Sequence, residues 1–272
     1  MSVADVLISR FPLSRAILAY GSSLYTPGAM LDLMIITDDP THWHTINHHL
    51  NPRDYSLVSR SAPSLTPRIQ SLGAGFWFNT GIKINDSLIK YGVVDSRYLL
   101  DDLLTWRYFY GAGRLQKTFD LLYPTILDKE LHTAISLNRR NALKLVMQML
   151  SQGSIVEIKE RVLMETLLGL SYLGDIRRGI AEDPGKVKKI LEGTQEELLC
   201  IYRPIYETLS IKRINESVIF KTPPLDEDIL TKLRNRQRRY STVEALKTLW
   251  SVPPHTSLSY LLRKISKRIN KT

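Results

Sequence analysis

Residues 19–36 read AYGSSLYTPGAMLDLMII. Ile17 to Tyr20 is a short apolar run that ends at Gly21, the pattern of a buried strand closed by a turn. Met30 to Thr37 is a second, almost continuously apolar run, which predicts a strand covered on both faces within a sheet. Asp32 interrupts it. A carboxylate desolvated in an apolar strand is costly unless something pairs with it. Gly21 and Ser22 are small enough to let backbone amides approach a phosphate group, and a divalent ion held by Asp32 would neutralise such a phosphate. By itself a Gly-Ser turn before a strand is an ordinary turn. A site of two carboxylates on one strand face would place the second at position 34, where the sequence has Met34. Asp38 shares the face but lies about 20 Å beyond Asp32 at ~3.3 Å per residue, too far to share one ion.

Outward from this pair of strands, residues 3–18 mix apolar and basic positions at helical spacing and predict a helix leading into the first strand. THWHTINHHLN predicts a helix ended before Pro52. Phe76-Trp77-Phe78 and Leu88–Val94 supply two more strands, and residues 97–115 a helix with Leu99, Leu103, Trp106, Tyr110 and Ala112 as its apolar surface. ELHTAISLNRRNALKLVMQML and IKERVLMETLLGLSYLG read as amphipathic helices, the second closing on Gly174, and with SIVEIKER and GDIRR they suit a small helical or winged-helix module. Pro223-Pro224 and Pro253-Pro254 separate two basic helices from the body. The expected division is residues 1–125, 126–225 and a basic C-terminal region, 226–272.

The 272 residues suffice for two modest cores. A hydrophobic content of 43% and charged content of 24% are those of an ordinary globular chain, and no apolar run approaches the ~20 residues of a membrane span. The one cysteine, Cys200, excludes an intrachain disulfide and a cysteine-based metal cluster. The first residues carry neither a secretory signal pattern nor an Arg/Ser-rich transit pattern. A net charge of +10 calls for an anionic partner. The surplus is concentrated at the C-terminus, where eleven Lys and Arg residues follow Asp228 against Glu244 alone.

The spacing from Gly21-Ser22 to Asp32 is that with which nucleotidyltransferases of the polymerase-β type begin. The stretches YGSSLY, AMLDLMIITDDPTHWHTIN, GAGFWFN, LIKYGVV, DDLLTWRYFYGAGRLQK and LSYLGDIRRGIAEDPGKV appear in that order and cover residues 19–190 densely. In them the chain resembles the mitochondrial translocator assembly and maintenance family, peripheral CDP-diacylglycerol synthases. The resemblance implies an α+β fold: a polymerase-β-like nucleotidyltransferase domain, then a mainly helical winged-helix-like domain and a C-terminal amphipathic helix. It implies transfer of CMP from CTP to phosphatidic acid, with Mg²⁺ as cofactor and pyrophosphate released, feeding cardiolipin and phosphatidylglycerol synthesis. The location implied is peripheral, on the matrix side of the mitochondrial inner membrane. The family too tends to carry an apolar or aromatic residue two places after the aspartate, so Met34 is compatible with it.

Carried onto this sequence, the resemblance makes Asp32 and Lys90 catalytic and gives Gly21, Ser22, Tyr91, Arg114 and Lys117 to substrate. Asp102 and Asp183 are the candidates to join Asp32 on the metal, though either also reads as a helix-face carboxylate or a cap. Lys90 reads equally as an edge lysine that snorkels. Arg114 and Lys117 read equally as cations stabilising a helix end. Gly73 and Gly75 lack the third glycine and the following helix of a dinucleotide fingerprint. His44 and His48 sit at i, i+4, but no third zinc ligand has convincing spacing. Since phosphatidic acid brings an ionised phosphate oxygen as nucleophile, no catalytic histidine is expected.

In SLSYLLRKISKRINK, Leu258, Leu261, Leu262 and Ile265 form an apolar stripe with Lys264, Lys267 and Arg268 largely opposite, which suits docking on an anionic membrane surface. Its bland reading is a helix packed on its own domain. Two rivals use the same residues differently. An RNA-directed nucleotidyltransferase would use the basic tail on RNA, although stable nucleic-acid binding is not expected. A degenerate, metal-free scaffold would take Met34 as the mark of lost activity.

Overall fold

The computed structural model describes residues 3–84, 87–174 and 185–251. Its first half runs α1 (Val3–Arg10), β1 (Ala16–Tyr20), β2 (Leu31–Thr37), α2 (Pro40–Leu50), α3 (Leu57–Ser61), α4 (Leu65–Gln70), β3 (Phe76–Ile84), β4 (Ser87–Asp95), α5 (Ser96–Thr105), α6 (Gly111–Leu115) and β5 (Phe119–Tyr123). The strands form one mixed sheet in the order β3-β4-β2-β1-β5. β2 runs parallel to β4, and the other three neighbouring pairs are antiparallel. The central position of β2 accounts for its apolar sequence, because helices cover both of its faces.

Alternation divides those faces. Leu33 and Ile35 pack with Ile17, Ala19, Tyr91 and Val93 against Leu7 and Phe11 on the α1 side and Trp43 of α2. Met34 and Ile36 point the other way, into the cluster of Leu18, Phe76, Phe78 and Val94 beneath α5 and α6. Met34 is fully buried, a core residue two positions along from the half-buried Asp32.

The second half begins with α7 (Lys129–Ser151). Its N-cap Asp128 accepts from the amides of Glu130 and Leu131 and is gripped by Arg15, so the entry of α7 is tied to the start of β1. β6 (Ile155–Lys159), α8 (Glu160–Leu170), α9 (Lys186–Tyr206), β7 (Lys212–Ile214), β8 (Ser217–Lys221) and α10 (Glu227–Ser251) complete the described chain. β6-β8-β7 is a small antiparallel sheet. No described helix is long and apolar enough to cross a membrane.

The structure departs from the sequence reading in five places. α1 stops at Arg10, before Pro12, so 3–18 is not one helix. Residues 97–115 are two helices, because α5 ends at Trp106 in the left-handed region (φ 56°). Residues 155–159 alternate exposed and half-buried as a strand, and the helix begins only at Glu160. The largest apolar cluster runs from Ala16 through Leu131, Leu163 and Leu198 to Leu233, across both expected boundaries. α10, expected to stand apart after Pro223-Pro224, is instead packed on that shared core along the outer edge of β3.

Candidate functional site

Three strands meet at one row of side chains. Tyr20 of β1 lies opposite Asp32 of β2, and Asp32 lies beside Lys90 of β4. Register partners share a face, so all three project on the Met34 side of the sheet, at the end of β2 where the apolar cover gives way to half-buried positions. Gly21 follows Tyr20 with φ +88°, a conformation glycine adopts without penalty. A Cβ there would lie 2.9 Å from Asp32 Oδ2, so the turn's backbone rests against the carboxylate. Residues Ser22–Leu24 then make one 3-10 turn. Within it the Ser23 hydroxyl is buried with no hydrogen-bond partner among the described residues. A small-residue turn beside a carboxylate, with an orphaned hydroxyl, is a fitting cradle for a phosphate.

Four cations stand on aromatic rings: Lys90 in the row, Arg114 acting on Tyr20, and Lys117 and Lys186 on Tyr172. The Lys90 ammonium lies 4.6 Å from the centre of the Phe78 ring. The Arg114 guanidinium lies 3.7 Å from the centre of Tyr110 and 5.9 Å from that of Phe76. Burial pushes the Tyr20 phenol well above its ordinary range, with the nearby Arg114 opposing, so Tyr20 stays neutral. Lys117 donates to the Tyr172 hydroxyl (3.0 Å) and lies 4.1 Å from its ring centre, which Lys186 of α9 shares at 5.6 Å. α9 also reaches the Gly21 turn, since a Cβ on Gly193 would lie 2.4 Å from that of Tyr25. One carboxylate and four cations on aromatic floors suit a polyanion that brings its own metal.

Asp102 does not join Asp32. It is buried, and its two oxygens accept four backbone amides: Tyr108 (2.8 Å) and Phe109 (2.6 Å) on one, Tyr110 (3.0 Å) and Ala112 (2.9 Å) on the other. Burial pushes its pKa up and the four amides oppose it. A carboxylate so engaged has used its four lone-pair sites. Asp102 therefore folds the loop that delivers Tyr110 and Arg114, which is its cap reading rather than its metal reading. Tyr91 is also elsewhere. It is one residue from Lys90 and so on the opposite face, fully buried, with its hydroxyl among Asn47, Asn79 and Asp54. That is a core position with no path to the row containing Asp32.

Asp183 lies outside the described residues, as do Leu258, Leu261, Leu262, Lys264, Ile265, Lys267 and Arg268. Among the described residues no three His, Cys, Asp or Glu side chains gather as a protein-only metal cage. Mg²⁺ rarely uses such a cage: one or two carboxylates together with substrate phosphates are its usual ligands, and Asp32 fits that mode. His44 is bound into the core on the far face, between the Tyr55 hydroxyl (2.8 Å) and Gln70 Oε1 (2.7 Å). Lys186, Tyr172, Tyr110 and Tyr20 were not singled out from sequence. Their spacing carries no pattern, and only the pairing of cation with ring, across 55 residues for Lys117 and Tyr172, brings them together.

Residues 4–221 match the model of the family described as mitochondrial phosphatidate cytidylyltransferase. The human enzyme of that name is 34% identical over 227 residues, covering 79% of this chain and 48% of the relative. The zebrafish (Danio rerio) one is 34% identical over 212 residues, 74% of this chain and 61% of the relative. The Caenorhabditis elegans one is 34% identical over 178 residues, 65% and 53% respectively. The chain thus spans about half the length of the curated relatives it matches.

Proposed function

The chain belongs to the mitochondrial phosphatidate cytidylyltransferase family, and we propose on that premise that it transfers CMP from CTP to phosphatidic acid. The observation that carries the reading is the row Tyr20–Asp32–Lys90 beside the Gly21 turn. Asp32 would hold Mg²⁺, which when bound neutralises charge on the triphosphate and polarises its α-phosphate. The backbone and hydroxyls of the Gly21–Ser23 turn receive the phosphates. Lys90, Arg114, Lys117 and Lys186 offset the charge that builds on the departing pyrophosphate.

In the reaction an ionised oxygen of the lipid phosphate attacks the α-phosphorus. A new P–O bond forms, the bond to the β-phosphate oxygen breaks, and pyrophosphate leaves with that electron pair. No proton has to be removed from the nucleophile, which accords with a site whose near groups are cations, a neutral phenol and a carboxylate given to the metal. His44, far from the row, has no part in it.

Residues 1–125 carry the nucleotidyltransferase part of polymerase-β type and 126–225 the winged-helix-like part, the two sharing one apolar core, and the membrane-docking tail lies within 226–272. The setting is the matrix face of the mitochondrial inner membrane, upstream of cardiolipin and phosphatidylglycerol. The single carboxylate of the described site favours one alternative, a metal-free scaffold.

Pyrophosphate release from CTP and Mg²⁺, with and without phosphatidic acid vesicles, separates the two. Lipid-dependent release that falls about a hundredfold or more in Asp32→Asn supports the transferase, since removing one transition-state charge partner costs that much. No release from folded wild-type protein supports the scaffold.

A further inference from the structure

We propose that α10 is a strut that positions the two aromatic floors of the site relative to each other, acting through Gln237 at one end and Glu244, Lys247 and Ser251 at the other. The inference rests on the transferase reading above and assigns the setting of cation spacing to a helix that carries none of these four cations.

One floor is β3. Phe78 carries Lys90, and Phe76 forms the outer part of the Arg114 floor at 5.9 Å, beside the nearer Tyr110 ring at 3.7 Å. β3 is an edge strand, so its outer carbonyls and amides have no ladder partner. α10 supplies them. Lys247 Nζ donates to the carbonyls of Gln70 (3.1 Å), Leu72 and Phe76 (2.9 Å), and Ser251 Oγ donates to the Phe78 carbonyl (2.9 Å). Glu244 Oε1 accepts from the Ala74 amide (2.8 Å) and pairs with Lys247 at 2.8 Å. Both charged side chains are buried, Glu244 at 1% exposure and Lys247 at 7%, so they have given up hydration for these contacts.

The other floor is Tyr172, under Lys117 and Lys186. Gln237 holds the residues on either side of it. Its Nε2 donates to the Ser171 carbonyl (2.6 Å) and its Oε1 accepts from the Gly174 amide. Gly174 lies against α10 itself, where a Cβ would meet the Arg234 carbonyl oxygen at 2.2 Å, so the contact is backbone on backbone. Gln237 and Lys247 are ten residues apart, about 15 Å along one rigid helix. That length fixes how far apart the Lys90/Arg114 pair and the Lys117/Lys186 pair stand.

A strut predicts that either end, once released, makes the other irrelevant. Three variants test this: Gln237→Met, the paired change Glu244→Gln with Lys247→Met (made together so that no buried charge is stranded), and the combination of all three. For each, Kd for CTP with Mg²⁺ by calorimetry, KM and kcat with phosphatidic acid vesicles, and thermal midpoint are measured. Each end is expected to weaken CTP about fivefold or more in folded protein, and the combination to be no weaker than the worse of the two. Independent sites this far apart multiply their effects instead. Multiplied effects, or unchanged Kd and KM with only a lowered midpoint, would overturn the strut. If the paired change does not fold, Ser251→Ala removes the Phe78 bond at that end, and Ser251→Ala, Gln237→Met and their combination are judged by the same rule. Wild-type protein that binds CTP but shows no lipid-dependent turnover refutes the transferase reading and leaves the binding test of the strut intact.

Discussion

Position 34 and position 32 share a strand face but not an environment. Met34 sits under the helices and Asp32 where that cover ends, so two residues of chain separate core from candidate site. Sequence alone could locate Asp32, because a charge in an apolar run has a physical cost that the eye can find. The same period-2 rule, applied to β4, would have set Tyr91 on the opposite face from Lys90; the resemblance of LIKYG drew both into one site. His44 makes the converse point. Between the Tyr55 hydroxyl and Gln70 it is fully buried, and burial lowers its pKa from the usual 6.5 to about 3. The folded state therefore refuses a proton that the unfolded chain accepts. Stability from this neutral ring is present above pH ~6.5 and is lost as pH falls toward 3. Between pH 7.5 and pH 5 the loss is about 2 kcal/mol for this one group. Urea titrations at the two pH values measure it. His44→Gln is expected to be less stable than wild type at pH 7.5 but to lose about 2 kcal/mol less on acidification; an equal acid loss in both proteins would remove His44 as its source.

At the scale of elements, what escaped the sequence reading was held together by buried polar groups. The helix expected over 97–115 breaks because Asp102 captures four amides of the 108–112 segment, with Trp106 and Phe109 at positive φ to allow it. Hydrophobic periodicity is blind to such a capture. It is equally blind to α10, whose buried stripe among the described side chains is Gln237, Ser241, Glu244, Lys247 and Ser251, with Leu233 its apolar member. The positions have helical spacing, but the residues are those expected to face water. Strands β1, β2 and β4 were legible because apolar runs state their own burial. Asp102→Asn separates the capping role from a metal role. An amide group cannot accept from all four donors, so two buried N–H groups lose their partner, at about 1–3 kcal/mol each. The variant is expected to lose about 2–6 kcal/mol in urea unfolding and to weaken CTP through misplaced Arg114, with its Mg²⁺ requirement unchanged. Undiminished stability with a raised Mg²⁺ requirement would return Asp102 to the metal.

Taken as a whole, the described molecule does not divide where its composition does. A prolyl pair and a rise in basic charge mark residue 226 as a boundary, yet the apolar cluster that begins at Ala16 includes Leu233, and the Tyr108 and Tyr240 rings meet edge-on at 4.9 Å. α10 also closes the outer edge of β3, which would otherwise be open to pairing with another chain. Its 25 residues thus contribute to the core of the first sheet, although they come last in the described chain. A chain ended at Leu225 would leave the carbonyls of Phe76 and Phe78 and the Ala74 amide without their α10 partners, expose the β3 edge and strip apolar cover from Tyr108. Losses of this kind approach the 5–15 kcal/mol by which a domain of this size is stable. Such a chain is expected to lack a cooperative thermal transition or to aggregate, whereas one ended at Ser251 keeps these α10 contacts and is expected to melt cooperatively. Calorimetry of the two truncations checks this, and flotation with anionic vesicles reports separately on what residues 252–272 add. A sharp, reversible transition in the chain ended at Leu225 would show that residues 1–225 fold alone, and that α10 is attached to the core without being part of it.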